Sequence, residues 1–230
     1  MRQRRSAIRS VLRFVASVMM VSGVLMIGDA GATLAWQEPI SAFLADRQQG
    51  ALDNELIDAN ALARKDLAEL EPIGDPNRRL AELAARQARR SESGDAIGRV
   101  ELPTLDRSYA VVEGTDTDSL RKGPGHFPGT PLPGQRGTVA VAGHRTTYGA
   151  PFRTVDDLRR GDPLTMTMPY GRFEYEVERT QIVPPTQTSV TRRVDHDQLI
   201  LSACHPLYSA EKRIIVFARL MRAEPTPVEA

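Results

Sequence analysis

Gln198-Leu-Ile-Leu-Ser-Ala-Cys204-His-Pro206 is the stretch that decides the architecture. An apolar run leads into a cysteine, and Pro206, which has no backbone N–H, ends ladder hydrogen bonding directly after it. The connection His205-Pro-Leu-Tyr-Ser-Ala-Glu-Lys212 follows, and Arg213-Ile-Ile-Val-Phe-Ala-Arg-Leu220 starts a second apolar, β-branched run. Paired as a hairpin, the two runs set Cys204 and Arg213 opposite each other at the loop mouth, about 5 Å apart. A cation at that distance favours thiolate and can hold an oxyanion. The ordinary reading of a lone cysteine is a small, inert core residue, but a core cysteine has no use for a cation beside it.

Working outward, the same texture covers the second half of the chain. Val139-Ala-Val-Ala-Gly-His144 ends a strand on a histidine, and Gly143 permits a bend or close approach before it. Tyr109–Glu113 and Gly137–Ala142 read as strands. In Arg172–Glu178, Phe173, Tyr175 and Val177 share one face while Glu174, Glu176 and Glu178 share the other. A short helix is expected at Pro151–Arg160, stopped by Gly161. Short strands with Gly/Pro turns and one helix suggest a mainly β barrel or sandwich over 96–222. Residues 223–230 read as a disordered, proline-containing tail.

The first half reads differently. Residues 1–13 carry Arg2, Arg4, Arg5, Arg9 and Arg13 and no acid. Residues 14–36 are nearly uncharged, interrupted by Asp29, and as one helix are long enough to span a bilayer. The arginines place the N-terminus in the cytoplasm, and Trp36 suits the interface. Ala30-Gly31-Ala32 also resembles a signal-peptide cleavage site. Both readings put the rest of the chain outside the cytoplasm. Residues 37–95 form a charged, largely helical spacer, either flexible or packed, broken at Pro72-Ile-Gly-Asp-Pro76 and closed by the linker Ser91–Asp95.

Composition narrows the function. Net charge is +1, which supplies no field for nucleic acid. With one cysteine there is no internal disulfide and no multi-cysteine zinc site. Frequent Ala and an excess of Arg over Lys hint at a GC-rich genome. Cys204 with His144 supplies the nucleophile and base that acyl transfer requires. His205, adjacent to Cys204 in an extended strand, points to the opposite face. His196 sits in a charged turn, Asp195-His-Asp197. His126, in Gly123-Pro-Gly-His-Phe-Pro-Gly129, either structures its loop or lines a substrate site. The glutamate row on 174–178 reads as a solvated face, and no histidine spacing supports a metal. No cofactor is implied.

The segment Gly123–Phe152, with Pro-Gly-His-Phe-Pro-Gly and Ala-Gly-His144-Arg-Thr-Thr-Tyr-Gly-Ala-Pro-Phe, resembles the sortases, and most the class E sortases of actinobacteria. Gly98-Arg-Val-Glu-Leu-Pro103 resembles that family's first barrel strand. Leu201-Ser-Ala-Cys204-His-Pro206 and Arg213 fall where the family has its active-site cysteine and arginine, over roughly Ala96–Leu220. The resemblance implies an eight-stranded sortase barrel with Cys204 as nucleophile, His144 as general acid/base and Arg213 as oxyanion stabiliser. It implies cleavage of a C-terminal Leu-Ala-x-Thr-Gly or Leu-Pro-x-Thr-Gly sorting signal between Thr and Gly through a thioester. The partners implied are surface proteins bearing that signal and an amine of the peptidoglycan precursor. Tyr148 either lines the substrate groove or packs its loop. The family usually has Thr-Leu-x-Thr before the cysteine; Ile200-Leu-Ser-Ala203 keeps the leucine and neither threonine. Ala203 retains a backbone N–H as an oxyanion donor.

Two rivals differ in class. An L,D-transpeptidase places its histidine close to Ser-x-Gly-Cys, whereas no glycine precedes Cys204. An inactive, tethered peptide-binding barrel accounts for the altered residues before the cysteine but has no use for His144, Cys204 and Arg213 together.

Overall fold

The computed structural model describes residues 2–35 and 39–226. Trp36 and residues 227–230 of the expected tail lie outside the described residues. The chain divides into two units, 1–40 and 41–230. The first contains α1 (Arg2–Ala35). Consecutive runs of its apolar side chains, Val18–Val21 and Val24–Ile27, are exposed, and at 3.6 residues per turn they cover its whole circumference. Among the described residues no helix is long and apolar enough to cross a membrane.

The second unit is built on eight strands: β1 (Ala96–Leu102), β2 (Arg107–Glu113), β3 (Gly125–His126), β4 (Thr138–Ala142), β5 (Pro163–Met168), β6 (Gly171–Val183), β7 (Gln198–His205) and β8 (Lys212–Pro225). They close a barrel in the order β1-β2-β3-β4-β7-β8-β6-β5. All neighbours are antiparallel except β2–β3 and β4–β7. Val100, Leu164, Phe173, Leu199 and Val216 fill the interior. Alternation in β6 is as expected, with Phe173, Tyr175 and Val177 buried and Arg172 and Glu176 exposed.

The expected spacer is part of this unit. α2 (Pro39–Glu69) and α3 (Pro76–Arg90) bury Leu67, Leu80, Leu83 and Ala84 in the same core as the barrel strands, and Leu70, just past α2, joins them. Each such leucine contributes about 1.5–3 kcal/mol by leaving water. Leu52 packs on Ala96, Ala110 and Val112. Polar ties fix the docking: Gln49 Oε1 accepts from Ala110 N at 2.7 Å and Gln49 Nε2 donates to Lys122 O at 2.9 Å. Asp66 of α2 takes Arg86 and Arg90 of α3. Asp75 caps α3 by accepting from Asn77 N and Arg78 N, with Pro76 at the first helical position.

Two expectations are corrected, and three elements are added. The tail does not begin at 223: β8 continues to Pro225, pairing Ala223, Glu224 and Pro225 with Phe173, Arg172 and Gly171. Pro151–Arg160 is not an α-helix but turns around a single 3₁₀ turn, Val155–Asp157. A residue outside the segment competes: Arg145 Nε and Nη2 both donate to Arg153 O, the acceptor that a helix would need for Asp157 N, which bonds Thr154 O instead. Finally, β3, β5 and the short α4 (Thr117–Lys122), capped by Asp116, were not anticipated.

Candidate active site

Strand register assembles the site. Parallel β4 and β7 pair with a constant offset, from Thr138↔Gln198 to Ala142↔Ser202. Gly143 N then donates to Ser202 O at 3.0 Å, carrying the pairing one residue further. His144 and Cys204 each lie two residues beyond the last ladder pair, on neighbouring segments that open onto the same cleft. On the other edge of β7 the antiparallel ladder sets Cys204 against Arg213. Three adjacent strands therefore deliver His144, Cys204 and Arg213 to one end of the barrel, where all three line one cleft of about 500 Å³.

The sequence around His144 explains its hold. A side chain on Gly143 would overlap the Phe152 ring, which is fully buried against it. Phe152 N donates to His144 O at 2.9 Å. Tyr148 leans on the imidazole, ring centroids 5.1 Å apart at 48°. Tyr148, Gly149 and Ala150 have φ of 52°, 73° and 43°, a left-handed turn that non-glycine residues enter only at a cost. Tyr148 Oη also accepts from Arg121 Nε at 3.3 Å. Burial of the imidazole lowers the His144 pKa below its ordinary value, favouring the neutral base.

Cys204 is half-buried at the cleft floor. Arg213 Nη1 donates to Ala210 O and Lys212 O, both at 3.0 Å, which anchors the guanidinium in its own hairpin loop. Ala203, Ile200 and Ile215 give the floor an apolar character, and two segments wall it: Phe127–Thr130 and Val183–Thr191. The second wall carries a 3₁₀ turn, Thr188–Thr191. A concave, largely apolar cleft with a thiol at its floor has the character of a ligand site.

Of the other sequence candidates, Ala203 lines the cleft, and Tyr148 and the remaining histidines do not. His126 is 3 % exposed. Its Nδ1 faces Glu113 Oε2 at 2.8 Å, and its Nε2 faces Thr130 Oγ1 at 2.9 Å and Pro131 O at 3.2 Å. The Thr130 hydroxyl donates to Phe127 O, so the ring serves as a donor that braces the Phe127–Thr130 wall. Tyr148 packs on the base rather than lining the groove, and Ala203 lines it. His205 turns away from the cleft toward Arg145, as alternation requires. His196 sits among Asp195, Glu178 and Arg219. Among the described residues no group of three or more His, Cys, Asp or Glu could hold a metal. A separate cavity of about 330 Å³ between α2, α3 and the barrel holds the Asp66–Arg90 ion pair, and its one serine, Ser91, spends its hydroxyl on Gln87 O.

The sequence reading missed Arg145, whose side chain is only 1 % exposed, and its partner Asp156. A charge following a strand-end histidine was the available signal. The reading also missed the Val183–Thr191 wall, for which Pro184-Pro185 marked a loop and nothing more.

Known proteins share this fold and sequence pattern. Sortase D of Bacillus subtilis is 37 % identical over 132 residues, 56 % of this chain and 65 % of that protein. Sortase SrtE1 of Streptomyces coelicolor is 26 % identical over 150 residues, 58 % of this chain and 43 % of that protein. The chain thus spans less than two thirds of the length of these relatives. The sortase E structure from Streptomyces avermitilis matches with a TM-score of 0.54 at 33 % identity, over 58 % of this chain and 93 % of that one. The sortase D5 transpeptidase of Clostridium perfringens matches at 0.56 and 27 %, over 61 % and 88 %. The sortase domain family model matches residues 100–221, more than half of the chain, and the chain therefore belongs to the sortase family.

Proposed function

We propose that the chain is a cysteine transpeptidase that cuts a C-terminal sorting signal between Thr and Gly and joins the new carboxyl end to an amine of the peptidoglycan precursor. The observation that carries this reading is the register of β4, β7 and β8, which brings His144, Cys204 and Arg213 together at one cleft. Cys204 Sγ gives its proton to His144 and attacks the threonine carbonyl carbon. Negative charge develops on the carbonyl oxygen, and the Arg213 guanidinium and nearby backbone N–H groups stabilise it. The C–N bond breaks, His144 protonates the departing glycine nitrogen, and a thioester to Cys204 remains. An incoming amine attacks the thioester, His144 takes its proton, and the thiol is restored. A base held neutral by burial suits both halves of this cycle.

The signal that the resemblance to class E sortases implies is of the Leu-Ala-x-Thr-Gly or Leu-Pro-x-Thr-Gly type. The test is to incubate the 41–230 unit with both peptides, with and without an amine, and to identify products by mass. Cleavage after Thr with amine-dependent joining supports the reading and ranks the signals. Intact peptides beside folded protein would overturn it in favour of a binding barrel, the reading that Ile200 and Ala203 in place of threonines favours.

The proposal includes a single-pass anchor over 14–36 with the N-terminus cytoplasmic and the barrel outside. Its support is the arginine cluster of residues 1–13 and the exposed apolar circumference of α1. Cys204 is the single cysteine, so a membrane-impermeant maleimide tests the topology in intact cells. Labelling is expected; labelling only after lysis would contradict it.

A further inference from the structure

Arg145 follows His144 and turns away from the cleft. Its guanidinium is buried, 1 % exposed, and bonds in every direction. Nη2 meets Asp156 Oδ1 at 2.6 Å and donates to Arg153 O at 2.9 Å. Nε donates to the same carbonyl at 3.2 Å. Nη1 reaches Cys204 O at 3.5 Å and His205 Nδ1 at 3.3 Å, which puts the His205 ring proton on Nε2. Burying a guanidinium costs several kcal/mol unless it is paired and bonded, so an apolar residue would fill this space more cheaply. The charge needs a reason.

The sheet supplies one. Pairing between β4 and β7 stops at Ala142↔Ser202, with one further bond from Gly143. Past that point no ladder bond sets the distance between His144 and Cys204. Arg145 spans this gap: it grips the loop after His144 through Arg153 and Asp156, and the end of β7 through the Cys204 carbonyl. A planar guanidinium spreads five donors over a rigid fork and so can hold two chain segments in fixed positions, whereas an ammonium concentrates three rotatable donors at one point.

We propose that Arg145 is a positioning residue that locks the His144 loop to the strand bearing Cys204, with Asp156 balancing its charge. It touches the backbone of Cys204, not the sulfur. The inference rests on the reading of His144 and Cys204 as base and nucleophile.

The test uses the full chain in detergent micelles. The rate of Cys204 alkylation by iodoacetamide is followed against pH in the parent and in His144→Ala, and again with Arg145→Lys added to each. In the parent, removing His144 changes the profile. With Arg145→Lys the change shrinks to less than about twofold, because groups that no longer touch no longer couple. Peptide turnover falls about 100-fold in kcat with KM little changed, the effect of a small misplacement. Asp156→Asn, which leaves the hydrogen-bonding fork in place, loses part of the coupling. Leu164→Ala, a cavity in the far β5 wall, controls for stability and keeps the full dependence on His144.

An equal dependence on His144 with and without Arg145→Lys would overturn the proposal, as would an equal loss in Leu164→Ala. If Arg145→Lys fails to fold, Asp156→Asn decides: full coupling there overturns it. A parent profile indifferent to His144 would overturn the nucleophile–base reading itself, and this inference with it.

Discussion

Cys204 has two neighbours across the sheet, and they are held in opposite ways. His144 arrives on a parallel strand from far along the chain, half-buried, with Phe152 beneath its backbone, Tyr148 against its ring and Arg145 behind its loop. Arg213 arrives by a local hairpin, and its guanidinium is tied to Ala210 and Lys212 carbonyls of that same hairpin. One side is over-determined by packing; the other is anchored locally and stays adjustable. A proton-transfer group works over a few tenths of an ångström, whereas a cation stabilising an oxyanion tolerates more displacement. On the proposed roles of base and oxyanion stabiliser, the difference in support follows the difference in task.

Removing the shared centre gives the largest effect. Cys204→Ala should leave no acyl-enzyme and no product while the circular dichroism spectrum and melting temperature stay those of the parent; residual turnover would mean that neither neighbour serves this sulfur. Next is the adjustable side. Arg213→Ala should lose about 3–4 kcal/mol of transition-state stabilisation, read as a drop in kcat/KM of about 10²–10³-fold. Arg213→Lys should restore part of it, since a charge on a mobile arm still reaches the oxyanion. No rescue at all would make the guanidinium as rigidly placed as the base and erase the contrast.

On the packed side, burial lowers the His144 pKa, so the neutral base persists to lower pH. The acid limb of kcat/KM should lie below the ordinary histidine value of about 6.5. Tyr148→Ala exposes the ring and should move that limb upward toward this value, with a modest loss of rate; an unmoved limb would break the claim that packing tunes the base. The smallest effect on catalysis belongs to a third region. Asp66, held ionised by Arg90 and Arg86, has a lowered pKa. Its contribution to stability is present above the ordinary carboxylate pKa and is lost as pH falls through the lowered value. Asp66→Asn should cost about 1–2 kcal/mol in denaturant melts, below the full buried-pair figure because Arg90 is 43 % exposed. It should leave kcat/KM within about twofold, as expected for separated sites. A large loss of rate would tie the helical shell to the site and undo the local contrast.

What could be read in advance follows the same divide. The β7–β8 hairpin is a contiguous signal, two apolar runs and a proline, and it brought Cys204 and Arg213 together correctly. Alternation in β6 was equally legible. The partner of Cys204 on its other edge was not, because parallel register between strands 60 residues apart leaves no local mark; the resemblance, not the spacing, put His144 there. β3 is two residues long and carries no period. The leucines of 52–83 showed helical spacing but not what they pack against, so a docked shell read as a spacer. Helical propensity over Pro151–Arg160 lost to a buried arginine that claims a carbonyl from outside the segment.

The most direct measurement is to trap the intermediate. The 41–230 unit is mixed with a Leu-Ala-x-Thr-Gly peptide without amine, quenched in acid within seconds, and its intact mass and Cys204 peptide are determined. The account predicts a single adduct equal to the peptide up to Thr, located on Cys204, released by hydroxylamine and absent in His144→Ala. Folded protein whose thiol alkylates normally, yet carries no adduct with this peptide or its Leu-Pro counterpart, would contradict it.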